Sequence, residues 1–141
     1  MRHSFLAMAL VAAAVGVSSA FVACPTASAS ISSEVVKTGS QDSLYPVVHL
    51  KDDAAVEAKI NADIRNQIED MKDALNYPYD ELQVSYKLKY EGQSYVSLVL
   101  CVWTYTHRAA HGMPHYRGVT YSKDTGERAS IRDFVRTFIF Y

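Results

Sequence analysis

His107, His111 and His115 recur every four residues in the segment HRAAHGMPH. On a helix that spacing would stack three imidazoles on one side, the arrangement from which a metal site can be assembled. Gly112 and Pro114 oppose a helix there, and the next acidic residue downstream is Asp124. No HExxH pattern is present, because Arg108 and Ala109 occupy its middle. The segment reads instead as a connection between two strands, with Gly112 taking a backbone conformation that other residues avoid. Ser94 and Ser97 lack a GxSxG elbow, and no glycine-rich phosphate loop occurs. Cys101, inside LVLCVW, reads as a buried, inert strand residue. Tyr86, Tyr90, Tyr95, Tyr105, Tyr116 and Tyr121 all fall on strand-like segments. There they serve either as sheet packing or as an aromatic ligand surface. No catalytic set, cofactor or resident metal is assigned. The candidate ligand-contact residues are Tyr105, His107, His111, Gly112, His115 and Tyr116.

These residues need a scaffold, and the composition limits what it can be. The chain has 141 residues, 49% hydrophobic and 21% charged, which is room for one folded domain. With 14 basic and 15 acidic side chains, bulk charge gives no argument for nucleic acid or an anionic membrane. Two cysteines make neither a disulfide-rich scaffold nor a four-thiolate zinc site.

The elements read as α+β: one long amphipathic helix on a mainly antiparallel sheet of about four to five strands, with a short C-terminal helix. Residues 30–43 are polar around Val35-Val36 and suggest an entry segment or edge strand. Leu44 to Leu50 is a strand candidate that Pro46 pushes towards a sheet edge. Val56, Ile60, Ile64, Ile68, Met71 and Leu75 form one apolar stripe along a helix of about 22 residues. Asp52 or Asp53 can cap it, and Asn76 and Pro78 end it. Leu82, Val84, Tyr86, Leu88 and Tyr90 alternate with Gln83, Ser85, Lys87 and Lys89, predicting one buried and one wet face. Tyr95 to Thr106 is apolar on both faces in its middle, which predicts a central strand covered on one side by the helix. Tyr116 to Ser122 gives a further strand, a turn follows at 123–127, and Ala129 to Val135 reads as a short helix that Ser130 could cap.

The start of the chain bears on location. Arg2 and His3 precede an uncharged run from Phe5 to Val17, and Ala27-Ser28-Ala29 follows Pro25. This is the layout of a secretory signal peptide over residues 1–29, cleaved after Ala29, and it predicts an extracytoplasmic protein. Two other readings of the segment are a membrane anchor over residues 4–23 and a lipoprotein modified at Cys24. The expected domains are therefore a leader at 1–29 and a single α+β domain at 30–141.

Three pieces in order resemble one family. They are YPVVHL before a helix carrying Ile60-Asn61 and Ile64, then SLVLCVWTYTHRAAHGMPHYRGVTYSKDTGE, then IRDFV. Ser97-Leu98, the Ala110-His111-Gly112 loop, a strand, the Thr125-Gly126 turn and the Ile131-x-Asp133-Phe134 ending resemble the PdaC-type domain. That domain is the non-catalytic amino-terminal part of bacterial PdaC-like peptidoglycan deacetylases. The same residues also resemble the extracytoplasmic region of the anti-sigma factor RsiV, which senses lysozyme by binding it. The likeness covers about residues 44–135. Family members often carry Gly-Gly before the AHG, where Arg108-Ala109 stand here, and many continue into a further, partly helical region. This sequence ends at Phe138-Ile139-Phe140-Tyr141, so it is either a short domain or a shortened form of a longer protein. The resemblance implies a secreted cell-envelope domain that binds or senses peptidoglycan or an envelope protein such as lysozyme, with no deacetylase domain in this chain. The competing readings are a small His-dependent metal hydrolase and an inactive fragment.

Overall fold

The structure, a computed structural model, describes residues 30–135; the leader, Cys24 and the aromatic end at 138–141 lie outside the described residues. The elements are β1 (Ser30–Thr38), β2 (Gln41–His49), α1 (Ala54–Asp73), β3 (Glu81–Glu91), β4 (Tyr95–Tyr105), β5 (Met113–Ser122) and α2 (Ile131–Val135). The architecture is α+β, with every strand pairing antiparallel: β1 with β2, and β3-β4-β5 in a second sheet.

The polar segment at 30–43 is more than an entry strand. It forms β1 and the first part of β2, which meet across a two-residue turn at Gly39-Ser40 with Gly39 at φ 64°. This hairpin joins the larger sheet through side chains. The buried Ser43 hydroxyl accepts the Val84 N–H at 2.8 Å, and the Gln83 amide donates to the Asp42 carbonyl at 3.0 Å.

Helix α1 begins at Asp53, whose carboxylate accepts the N–H groups of Ala55 and Val56 at 3.1 and 2.9 Å. It buries Ile60, Ile64, Ile68 and Met71 against Leu98, Leu100, Val102 and Val119 of the sheet. Its pose is fixed by polar contacts as well. The Asn61 amide accepts the Val48 N–H at 2.8 Å and donates to the Val48 carbonyl at 2.9 Å, while Glu57 accepts the Leu50 N–H at 2.8 Å.

β4 is the central strand and is covered on one side by α1, as its composition predicts. Its alternation is strict: Val96, Leu98, Leu100, Val102 and Thr104 are buried, while Tyr95, Ser97, Val99, Cys101, Trp103 and Tyr105 line a half-exposed outer face. Cys101 is accordingly half-exposed rather than buried, because it lies on that outer face opposite Ser85 and Tyr116.

β3 departs from simple alternation. A register shift between Leu88 and Tyr90 pairs Tyr90 with Ser97 and Glu91 with Val96. Leu88 and Tyr90 are exposed, against expectation, since the strand runs past its apolar cover and the bulge turns Tyr90 onto the outer face. The same shift brings Glu91 to the covered side, where it lies 3.6 Å from the buried Lys123 ammonium. α2 starts two residues later than expected, at Ile131. Its cap is also reversed, with the Asp133 carboxylate accepting the Ser130 N–H at 2.5 Å.

Candidate functional site

The pairing register divides the six sequence candidates among three places. Tyr105 and Tyr116 lie on the outer face of the sheet, Tyr116 directly opposite Cys101 and 68% exposed. His115 pairs with Val102 and therefore points to the covered side. There its Nε2 lies 2.6 Å from the Tyr77 hydroxyl, which also contacts the Thr104 hydroxyl at 2.8 Å. His115 is a strand residue in β5, not a loop residue, and it is tied to the segment that follows α1. His107 and His111 are exposed in the connecting loop.

That loop is held in several places. The His107 N–H is bonded to the Asp80 carboxylate, and the Thr106 hydroxyl donates to the Pro78 carbonyl at 3.1 Å. The Tyr105 hydroxyl donates to the Ala109 carbonyl at 3.3 Å. Arg108 adopts φ 72°, a left-handed conformation for a side-chain-bearing residue, in a loop pinned on both sides. His111 Nδ1 lies 3.0 Å from the Gly112 carbonyl. His111, Tyr77, Thr104 and Met113 border a cavity of about 220 Å³. Gly112 does not take the left-handed conformation expected of it, which falls to Arg108 instead; glycine is needed at 112 because a Cβ there would fall inside the Trp103 indole.

Trp103, absent from the sequence candidates, belongs to the outer face. It sits two residues before Tyr105 on the same face, and the two rings are parallel within 5° with centroids 6.1 Å apart. Pro114 is its cross-strand partner and Tyr116 its diagonal neighbour, with Gln83 opposite on β3. The period of two in LVLCVWTY was the available signal, once the strand is read as one covered and one open face. Tyr77 and Asp80 had no such signal, since each acts through a contact far away in sequence.

The spacing of four does not assemble a metal site. Among the described residues no group of three or more His, Cys, Asp or Glu side chains could hold a metal ion. A different constellation lies on the hairpin: Ser32 Oγ is 2.8 Å from His49 Nε2, whose Nδ1 is 3.7 Å from Glu57. The order resembles nucleophile, base and carboxylate. The last gap exceeds a hydrogen bond, however, and Glu57 is already engaged by the Leu50 N–H. It functions as a surface contact between β1, β2 and α1.

No helix among the described residues is long and apolar enough to cross a membrane. No family model matches the chain. No curated protein matches it either. A solved structure of a DUF3298 family protein from Pseudomonas aeruginosa PAO1 is similar at 17% identity and a TM-score of 0.33, over 75% of this chain and 55% of that one. The chain thus spans about half the length of that protein, whose family name marks a domain of unknown function. The likeness is loose, and the functional reading rests on the geometry of the chain's own residues.

Proposed function

We propose that this chain is a secreted, non-enzymatic binding module of the cell envelope whose open aromatic face takes a glycan strand, with peptidoglycan as the ligand. One observation carries the reading: Trp103 and Tyr105 lie parallel on the half-exposed outer face of the sheet, with Tyr116 beside them. Among the described residues α2 meets that face only at Tyr95. The apolar C–H face of a pyranose packs on such rings, and neighbouring polar groups fix its orientation. Gln83 and Ser85 supply those groups from β3 on the same face. The sequence of the first 29 residues supports an extracytoplasmic location.

Trp103 is the only tryptophan in the chain, so its fluorescence reports this face alone. Titration with soluble peptidoglycan fragments should shift its emission saturably, and the chain should co-sediment with intact peptidoglycan. Trp103→Ala should weaken co-sedimentation at least tenfold, while His111→Ala, in the exposed loop, should change it little. A folded protein that neither shifts nor sediments overturns the glycan reading. Lysozyme would then be the next ligand to titrate.

A further inference from the structure

We infer that the open edge of β5 is a docking site for an extended peptide carrying an acidic side chain, added as a strand antiparallel to β5. This inference is independent of the aromatic face. β5 pairs with β4 on one side only. On its other side the chain itself has begun a strand: the Ser122 N–H donates to the Glu127 carbonyl at 2.9 Å, and the Ala129 N–H donates to the Thr120 carbonyl at 2.8 Å. Backbone groups of alternate residues point the same way in an antiparallel ladder. Thr120 and Ser122 point outward, so Gly118, Tyr116 and Pro114 do as well.

Pro114 has no N–H to offer, which is why a proline is tolerated there, and it blunts that end of the edge. Between Pro114 and the segment 127–129, Tyr116 and Gly118 each present an N–H and a carbonyl. No described strand covers them. A Cβ at Gly118 would stand on the outer face of the sheet and meet nothing within 4 Å. A groove of about 1060 Å³ lies between this edge and α1, lined by Ala62, Asn66 and Asp70 on the helix and by Arg117, Gly118 and Ala129 opposite.

The groove carries Lys59, Arg117 and Arg128 against Asp63, Asp70 and Glu127, so selection rests on Arg117, the one of its three cations without an ion pair among the described residues. Lys59 is paired with Glu127, and Arg128 with Asp63. Arg117 reaches only the Gln67 backbone and side-chain carbonyls, at 3.4 and 3.0 Å, both through Nη1. Its Nη2 and Nε have no carboxylate among the described residues, so a carboxylate directly across from Arg117 would meet an unused guanidinium edge. The same residue argues against a second copy. A symmetric β5 pairing centred on the free stretch between Tyr116 and Gly118 would place Arg117 against Arg117 of the other molecule. Main-chain bonds then supply affinity and the side chain facing Arg117 supplies selection, as in strand addition generally.

The test uses the full chain, labelled with nitrogen-15, and the peptide acetyl-Thr-Val-Glu-Val-Thr-amide. In the free protein the Tyr116 and Gly118 amides should exchange with solvent faster than those of Arg117 and Val119. The peptide should shift and protect the first pair, binding about fivefold tighter than its Lys-centred counterpart. Arg117→Gln should erase that preference. Gly118→Pro, which removes an outward N–H and fixes the local φ, should abolish binding, with the Arg117 and Val119 amides still protected by the β4–β5 ladder. Slow exchange at Tyr116 and Gly118 in the free protein, a preference for the Lys peptide, or concentration-dependent dimerisation through this edge would each overturn the inference.

Discussion

Gly112 and Trp103 meet so closely that the loop and the aromatic face are one object. A methyl group at position 112 has nowhere to go except into the indole, so Gly112→Ala must tilt Trp103 or lift the loop. The expected result is a loss of about 1–3 kcal/mol in urea unfolding and a changed Trp103 emission in the folded state. If stability and emission both match the parent, the loop does not press on the ring and Gly112 has no role in shaping the face. The histidines behave differently from one another for equally local reasons. His115 is engaged by Tyr77 on the covered side, whereas His107 bonds through its backbone N–H to Asp80 and His111 places its imidazole against the adjacent Gly112 carbonyl. Three residues that are equally spaced in sequence therefore end in different surroundings, because a strand separates neighbours that a helix would have aligned.

At the scale of elements, α1 is fastened to β2 by Asn61 as well as by its apolar stripe. Val48 is fully buried, and both of its backbone groups are satisfied by the Asn61 amide. Asn61→Ala leaves an N–H and a carbonyl unpaired and should cost about 1–3 kcal/mol, with accelerated exchange of the Val48 amide. Asn66→Ala, on an exposed part of the same helix, should stay within about 0.5 kcal/mol. Equal costs for the two would show that Asn61 is not what seats the helix. The stripe of Ile60, Ile64 and Ile68 was legible because a 3.6-residue period is written directly in the sequence. The central position of β4 was legible in its apolar middle. The open outer face was not, since Val99, Cys101 and Trp103 are as apolar as their covered neighbours. Composition does not say which of two apolar faces receives a helix. The bulge at Lys89 was also hidden: it inverts a visibly perfect alternation through strand pairing alone, turning Tyr90 outward and Glu91 inward. The positive φ of Gly126 in the 123–127 turn was traceable to residue type, whereas Gly112 has no positive φ and is fixed by the indole it packs against.

Across the whole molecule, one phenol ties helix, edge strand and return segment together. Tyr121 of β5 is fully buried, and its hydroxyl donates to Asp63 of α1 at 2.8 Å, while Asp63 also holds Arg128 at 3.1 Å. Burial, reinforced by the adjacent carboxylate, pushes the phenol well above its ordinary value of 10.0. Because the folded state holds that proton more tightly than the unfolded chain, the stabilisation is complete below about pH 10 and declines as pH rises above it. Lys72, between Glu69 and Tyr45, adds in the same direction. Burial works to lower its pKa, but its hydrogen bonds to those two side chains outweigh that and leave it raised. Urea unfolding measured from pH 8 to 11 should therefore show stability falling on the alkaline side. Tyr121→Phe keeps the ring in the core and removes the titrating group. Its alkaline slope should be shallower than that of the parent by up to about 1.4 kcal/mol per pH unit. Parallel slopes for the two proteins would mean that the Tyr121 proton is not held by the fold. The joint between α1, β5 and the return segment would then depend on packing and the Asp63–Arg128 pair alone.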